Sequence, residues 1–224
     1  MSNGVSTANS SASSEPLRIS FLGPLGTYSH QAATDFFGSS SDFELLPVER
    51  IGDVFESVSS SSSDFGVVPI ENSSFGSVVE TAQNLRTTSL SVRGMIQLKI
   101  GHSLLSREGA AEDAEGKKRM KRVYSHEQGI GQCRAYLAEH YPQVEIIPVN
   151  STAKAAQQVL EDAEGLAICS LKCAEVYGLD VVDTDIQDAG FSNTTRFICL
   201  SKANRVLPDV YPIQRSKQSN AETN

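Results

Sequence analysis

Five polar segments, each following a short apolar run, hold the residues of this sequence that could do chemistry. Two lie in the first third of the chain, GPLGTYSH (23–30) and PIENSSFGS (69–77). In the first, glycines would let the backbone approach a ligand, and Thr27 could cap a helix whose free N–H groups bind an anion. In the second, short polar side chains could hold carboxylates or hydroxyls, and the candidates are Glu71, Asn72, Ser73 and Gly76. A Gly-rich turn with an ordinary helix cap and an Asx turn explain the two segments equally well.

The same pattern recurs in the second half, at YSHEQG (124–129) and NSTA (150–153). The candidate binding residues there are Ser125, Gln128, Ser151 and Thr152. His126 is a candidate proton donor, although a single histidine at a helix start more often caps the helix or lies on the surface. If these strand ends converged with those of the first half on one cleft, they would form an anion site without a metal.

The fifth segment, DAGFSNTTRF (188–197), brings hydroxyls and one guanidinium to the start of a strand. Its candidates are Thr195 and Arg196, which an ordinary strand start also explains. The signatures of other chemistries are missing: the sequence has no GxSxG elbow of a serine hydrolase and no GxGxxG or GxxxxGK phosphate loop. The four cysteines have no CxxC spacing, which favours buried, reduced thiols over a zinc site or a disulfide framework.

Composition narrows the classes of function further. The 224 residues carry 19 Lys and Arg against 27 Asp and Glu, a formal charge of −8. That charge repels nucleic acid and anionic membranes, and no apolar run approaches the roughly 20 residues of a membrane helix. The first residues lack the basic and apolar regions of a secretory signal, and reduced thiols suit the cytosol. We therefore expect a cytoplasmic protein that binds neither nucleic acid nor a membrane.

Strands and helices alternate along the chain, and they must position the polar segments. Strands are predicted at 17–22, 43–48, 65–70, 90–100, 122–125, 144–149, 165–169, 179–183 and 196–202. Helices are predicted at 27–37, 50–58, 77–87, 127–140, 151–162 and 170–177. This alternation is typical of βαβ units, so it indicates an α/β protein with a mostly parallel sheet.

The alternation runs twice, once before residues 90–105 and once after them. This favours two α/β lobes with a ligand cleft between them over one sheet of nine strands. We expect lobe 1 to comprise 17–98 plus 183–206 and lobe 2 to comprise 99–182. The polar ends, 1–16 and 207–224, hold too little apolar surface to order and are expected to be disordered tails.

The ordered series of motifs from Arg18 to Lys202 resembles the prephenate dehydratase family. The series comprises FLGPLGTYSHQAA, VVPIENSSFGSV, GHSLLS, VYSHEQGIGQC, NSTAKAA and SNTTRF. Members have two α/β lobes around a cleft, similar to type 2 periplasmic binding proteins. They convert prephenate to phenylpyruvate, with loss of carbon dioxide and water, and use no metal or organic cofactor. The resemblance implies this fold, this substrate and the absence of a cofactor here.

The resemblance also implies roles for individual residues. Thr195 would take a catalytic part, and Arg196 and Phe197 would bind the substrate. The Glu-Asn-Ser and Ser-His motifs of the family fall on 71–73 and 125–126, and His126 is the alternative proton donor. One departure is Glu127, where members commonly have proline, because an extra carboxylate there could weaken anion binding. A second departure is that members usually continue into a phenylalanine-sensing ACT domain, whereas the residues after Lys202 turn polar, so we expect no feedback inhibition through that domain.

Two rival functions remain at this point. Arogenate dehydratase performs the same chemistry on a substrate with an amino group in place of the keto group. A non-catalytic binding module could share the two-lobe architecture, but it would not need a hydroxyl and a guanidinium at 195–196 beside a leaving group. We expect a homodimeric lyase that acts on prephenate.

Overall fold

The protein is described by a computed structural model, in which residues 15–38, 41–110, 119–188 and 192–206 are placed. The predicted tails lie outside the described residues except for 15–16 at one end. Two mixed β-sheets, each flanked by helices, make up the described chain. The predicted class, an α/β fold of two lobes, is confirmed.

The first sheet is built mainly from the first half of the chain, with the last strand added to it. In order across the sheet, its strands are β2 (Phe43–Val48), β1 (Leu17–Leu22), β3 (Phe65–Asn72), β11 (Asn193–Ser201) and β5 (Ser91–Ile100), with the short β4 (Gly76–Ser77) paired to β3. Its helices are α1 (Tyr28–Phe37), α2 (Ile51–Ser59) and α3 (Val79–Thr87).

The second sheet is built from residues between β5 and β11. In order across the sheet, its strands are β10 (Leu179–Asp183), β6 (Ser103–Arg107), β9 (Gly165–Cys169), β7 (Arg122–Ser125) and β8 (Glu145–Pro148). Its helices are α4 (Glu127–Gln132), α5 (Arg134–His140), α6 (Thr152–Leu160) and α7 (Lys172–Tyr177).

Each sheet buries both faces, which explains why its central strands are nearly continuous apolar runs. On one face of the first sheet, α1 packs over Phe21, Val67 and Phe197, and on the other α2 packs over Val68 and Ile198. The second sheet is covered in the same way, with the alanine-rich α6 on one face and α5 on the other. Two layers of core per lobe therefore hold the strand ends in place.

The prediction of a mostly parallel sheet is wrong. β1, β2 and β3 are parallel, as are β7, β8 and β9, but β11 runs antiparallel to β3 and β5, and β6 runs antiparallel to β9 and β10. The chain passes directly from β5 in the first sheet to β6 in the second, and it returns to the first sheet through β11. The strands that follow these two crossings, β6 and β11, therefore run antiparallel to their neighbours. β4 and β6 were not predicted as separate strands, and the predicted helix 127–140 breaks at Cys133.

The chain crosses between the two sheets twice, after β5 and before β11. β5 continues to Ile100 within the first sheet. After β10, Ile186 packs in the core beneath α5, and Asp188 accepts hydrogen bonds from the amides of Ala135 and Tyr136. These contacts tie residues as far as Asp188 to the second lobe.

Candidate active site

The carboxyl ends of the parallel strands of the two sheets face each other. The loop after β1 carries Gly26, and Ser170 follows the end of β9. The Ser170 hydroxyl donates to the Gly26 carbonyl at 2.7 Å, and the Tyr177 hydroxyl donates to the neighbouring Leu25 carbonyl at 2.7 Å. Most of the segments that hold the predicted site residues end at these two edges, where α/β proteins bind ligands.

At the edge of the first sheet, Asn72 and Thr195 form a defined pair. They are opposite each other in β3 and β11, and the Asn72 amide Nδ2 donates to Thr195 Oγ1 at 2.8 Å. The orientation of the amide is fixed, because Asn72 Oδ1 accepts from the backbone N–H groups of Ser74 and Phe75 at 2.9 and 3.1 Å. This is the Asx turn that the sequence offered as an alternative, and here it also aims the amide at the threonine.

The hydrogen-bond direction leaves the Thr195 hydroxyl with its own proton unused. Thr195 Oγ1 is the acceptor of the Asn72 bond, and among the described residues no acceptor receives the hydroxyl proton. Since a hydroxyl both donates and accepts, Thr195 can donate to a ligand without losing its contact to Asn72. The Thr195 hydroxyl is therefore a donor that Asn72 holds in a fixed position.

Arg196 lies on the other face of the sheet from Thr195, because successive side chains of a strand alternate. Its Nη1 pairs with Glu71 Oε2 at 2.8 Å, and both side chains are about half exposed, at 49% and 44%. An ion pair this exposed is worth about 0–1 kcal/mol, so a ligand carboxylate can compete for the guanidinium. The structure thus joins two predicted binding residues, Glu71 and Arg196, to each other.

Two further predicted residues of this edge have structural roles. Ser73 clamps the start of β11: its Oγ accepts from the Thr194 N–H at 2.9 Å, and its own N–H donates to the Thr194 carbonyl at 2.8 Å. Gly76 has a φ of +79° and open space where a side chain would be, so it serves the turn between β3 and β4.

The side chain of Phe197, for which the family resemblance implies a substrate-binding role, lies in the core of the first lobe. Its ring is 2% exposed and packs with Phe21, Val67 and Leu98 under α1. The side chain follows the alternation of β11 into the core, where it anchors the strand that carries Thr195.

At the second sheet, the side chain of Ser125, which is expected to bind a ligand, lies inside the lobe. Its side chain is fully buried, and its Oγ donates to the Ile168 carbonyl at 2.7 Å. β7 lies between β8 and β9, so the hydroxyl at its end joins neighbouring strands instead of reaching a ligand.

Three of the predicted polar residues are helix N-caps. Thr27 Oγ1 accepts from the His30 N–H at 3.2 Å, Ser151 Oγ from the Lys154 N–H at 3.0 Å, and His126 Nδ1 from the Gln128 N–H at 3.3 Å. The cap interpretation is confirmed for all three side chains. The His126 ring is partly exposed, so its other nitrogen can still meet a ligand, while Gln128 is exposed on the first turn of α4 and Thr152 is half-buried on that of α6.

No hydrogen bond or ion pair in the placed parts of the chain joins residues 71–76 or 193–196 to residues 125–128 or 151–152. The structure therefore sorts the predicted residues into two groups, one at each facing edge. The two edges are connected by the hydrogen bond from Ser170 to Gly26 and by the crossover from β5 to β6.

Two buried polar residues were missed in the sequence, His102 at this crossover and Gln132 at the end of α4. His102 and Gln132 are 4% and 6% exposed, and His102 Nε2 lies 2.7 Å from Gln132 Oε1. Burial lowers the pKa of His102, so the ring is neutral at pH 7. The only signal for them was their presence within the motifs GHSLLS and GIGQC.

The cysteines take no part in either group. All four are buried and unbridged, and burial raises the pKa of both Cys133 and Cys199 to about 12. Within the described ranges, no three His, Cys, Asp or Glu side chains are grouped so that they could hold a metal ion. No described helix is long and apolar enough to cross a membrane.

Comparison with models of known protein families identifies the family of this chain. The model of the family described as prephenate dehydratase matches residues 19–205. The chain belongs to the prephenate dehydratase family. The resemblance seen in the sequence motifs is thereby confirmed.

The chain is also similar to individual relatives and to solved structures. The bifunctional chorismate mutase/prephenate dehydratase of Aquifex aeolicus is 38% identical over 83% of this chain and 49% of its own length. The structure of a prephenate dehydratase from Arthrobacter aurescens in complex with L-Phe is 31% identical, with a TM-score of 0.73 over 86% of this chain and 62% of that one. A quorum-quenching acylase, GqqA, has a TM-score of 0.72 at 25% identity over 85% of this chain and 66% of its own. The chain spans about half the length of the curated relatives it matches.

Proposed function

We propose that the chain is a prephenate dehydratase, a carbon–oxygen lyase that converts prephenate to phenylpyruvate with its own side chains and no cofactor. The observation that carries this proposal is the Thr195 hydroxyl, which is held by Asn72 while its own proton is unused. Family membership over residues 19–205 supports the choice of reaction. We also propose that the substrate binds in a cleft between two lobes, 17–98 plus 183–206 and 99–182.

The reaction requires of the protein little more than a correctly positioned substrate and one proton donor. Prephenate has two carboxylates and a ring hydroxyl, and loss of carbon dioxide and hydroxide makes the ring aromatic, which drives the reaction. Thr195 donates a hydrogen bond to the departing hydroxyl, and this bond strengthens as the carbon–oxygen bond breaks. An interaction that is stronger in the transition state than in the ground state raises kcat.

Threonine is a weak acid, so full proton transfer needs a partner such as water or His126. A positioned general acid supplies about 10²–10⁴-fold of rate, and orientation and desolvation supply the rest. His126 is suited to this part because its Nδ1 is held by the Gln128 N–H, which leaves the other ring nitrogen for the ligand.

Arg196 binds the side-chain carboxylate of prephenate in this proposal. Its pair with Glu71 is exposed and therefore weak, so a ligand carboxylate can join or replace Glu71. The ring carboxylate that departs belongs in a less polar part of the cleft, because tight pairing would stabilise the ground state against decarboxylation. Thr27, Ser151 and Thr152 line the facing edges as helix starts whose N–H groups favour anions.

Purified chain incubated with prephenate and, separately, with arogenate tests the proposal. Formation of phenylpyruvate from prephenate at a rate far above the uncatalysed one supports it, and faster formation of phenylalanine from arogenate would instead make the chain an arogenate dehydratase. Binding of both compounds without turnover of either would identify a binding module. Light scattering tests our further proposal of a homodimer, and localisation of a tagged chain tests its placement in the cytoplasm.

A further inference from the structure

A solvent-open groove separates helices α1 and α7, which belong to different lobes. Its volume is about 400 Å³, and pockets for small molecules generally measure about 300–1,000 Å³. The residues that line the groove come from both helices: Gln31, Thr34 and Asp35 of α1, and Leu171, Lys172, Ala174 and Glu175 at α7. The three from α1 are spaced three and four apart, so they share one face of that helix. None of these side chains takes part in the proposed reaction.

The groove adjoins the contact that joins the two lobes. Ser170 Oγ and Cys173 Sγ, which flank the start of α7, both donate to the Gly26 carbonyl just before α1, at 2.7 and 3.3 Å. These two bonds fix where α7 begins relative to α1. A molecule that fills the groove therefore contacts both lobes.

The α1 side of the groove offers acceptors that have no donor. Thr34 Oγ1 donates its proton to the His30 carbonyl at 3.0 Å, so its lone pairs remain free to accept. The Asp35 carboxylate has no hydrogen bond or ion pair within the described ranges, and partial burial raises its pKa. A cationic donor in the groove would supply what both oxygens lack.

The α7 side offers a cation. Lys172 Nζ pairs with Glu175 Oε2 at 2.6 Å, but Lys172 is 18% exposed and Glu175 is 73% exposed. A pair with so exposed a carboxylate is weak, and an ammonium has three donors, so Lys172 can bind a second acceptor. The charge of Lys172 also opposes the rise in the pKa of Asp35, although no ion pair joins the two side chains in the part of the chain that is described. Opposite charges thus face each other across the groove without meeting.

We propose that this groove is a binding site for a small zwitterion, namely a free α-amino acid with an apolar side chain. Its ammonium donates to Asp35 and Thr34, its carboxylate accepts from Lys172, and its side chain packs on Leu171 and Ala174. A zwitterion matches the charges of both helices at once. A simple anion would be repelled by the two carboxylates of the groove, and a simple cation would be repelled by the lysine.

Calorimetric titration of the chain with three matched compounds tests this inference. The probe is L-leucine; 4-methylpentanoate is the same molecule without the ammonium group, and 3-methylbutylamine is the same molecule without the carboxylate. We expect L-leucine to bind and each analogue to bind at least about tenfold more weakly, because each loses one charge-assisted contact.

Two variants assign each charge of the ligand to its partner. Asp35→Asn should remove the advantage of L-leucine over 4-methylpentanoate, and Lys172→Met should remove its advantage over 3-methylbutylamine. The matched controls are Glu56→Gln on α2 and Lys154→Met on α6, both at exposed side chains away from the groove, and they should bind L-leucine as the wild type does.

Failure of L-leucine to bind at millimolar concentrations would overturn the inference. The same discrimination among the three compounds in Asp35→Asn, Lys172→Met and the wild type would overturn it as well, because the ligand would then bind elsewhere.

NMR of the backbone amides locates the site even if a variant fails to fold. L-leucine added to the wild type should shift the amide signals of Gln31 and Lys172 and leave those of α6 in place, whereas shifts confined to other elements would contradict the proposed location. Binding here does not require turnover of prephenate, so a chain without dehydratase activity would refute the proposed function and leave this inference intact.

Discussion

At the scale of single residues, the site depends on which face of β11 each side chain takes. Thr195 points to the face that α1 covers, where Asn72 holds its hydroxyl, and Arg196 points to the other face, where it meets Glu71. Consecutive residues of one motif therefore present a hydroxyl and a guanidinium on opposite faces of the sheet. This geometry suits a substrate that needs a proton donor at one group and a cation at another.

Replacement of Arg196 by alanine should raise KM for prephenate by about 10- to 100-fold with a smaller effect on kcat, because a charge-assisted contact to a carboxylate forms before the chemistry. Steady-state kinetics measures both constants. Glu71→Gln is the matched control: it breaks the ion pair but leaves the guanidinium, and should leave KM unchanged or lower it. Equal increases of KM in the two variants would mean that the pair only supports the sheet edge.

At the scale of elements, the strands carried most of what the sequence could predict. Strands β1, β2, β7, β9 and β10 have their predicted bounds, because buried apolar runs between polar turns report strands directly. The strand directions could not be predicted in the same way, since they depend on the crossovers from β5 to β6 and back into β11. These crossovers are part of the tertiary structure and leave no local pattern in the sequence.

The candidate site was predictable in part for a related reason. Polar residues after strands identified both facing edges, but the pattern cannot tell a ligand contact from a cap or a strand contact, and Ser125, Ser151 and Thr27 proved to serve the protein's own backbone. Phe197 went inward because alternation along β11 and packing under α1 decide its direction. His102 and Gln132 were missed because their meeting joins a crossover to a helix thirty residues away.

Asp162 gives a prediction about the stability of the second sheet. Its carboxylate binds the Arg122 guanidinium at 2.6 Å through both oxygens and also accepts from the Tyr124 hydroxyl, and these contacts, Arg122 first, lower the pKa of Asp162 to about 2. A lowered carboxyl pKa stabilises the fold above the unfolded-state value near 3.8, and that stabilisation is lost as pH falls from there to about 2.

Asp162→Asn should therefore cost about 1–2 kcal/mol of unfolding free energy at pH 7, allowing for solvent screening, and the difference from the wild type should shrink between pH 4 and pH 2. Urea unfolding at several pH values measures this. Glu175→Gln, which breaks an exposed pair with Lys172, serves as the control and should change little. A loss that is independent of pH would show that the charge of Asp162 does not matter.

At the scale of the whole molecule, the loop after β1 sets how the two lobes meet. Gly26 has a φ of +84°, and a Cβ there would lie 2.8 Å from Cys173 Sγ and 3.1 Å from the Tyr177 ring. The Gly26 carbonyl also accepts from Ser170. The close approach of the lobes therefore requires glycine at this position.

Gly26→Ala should lower kcat/KM for prephenate by at least about tenfold, because the added methyl overpacks the contact and forces the facing edges apart. Gly38→Ala is the matched control, with a φ of +82° and open space around its Cβ. Both variants carry the strain of a side chain at positive φ, about 1–3 kcal/mol, but only Gly26→Ala disturbs the lobes. Kinetics and melting curves of the pair decide, and equal activities would contradict this account of the lobe contact.

The most direct test of the account is the kcat of Thr195→Ala with prephenate. We predict a fall of about 10²–10³-fold with little change in KM and a folded protein, because only the held proton donor is removed. Thr195→Ser, which keeps the hydroxyl, should recover most of the rate, and Thr194→Ala, at the neighbouring threonine, should match the wild type. A well-folded Thr195→Ala with the kcat of the wild type would contradict the claim that this hydroxyl drives the departure of water.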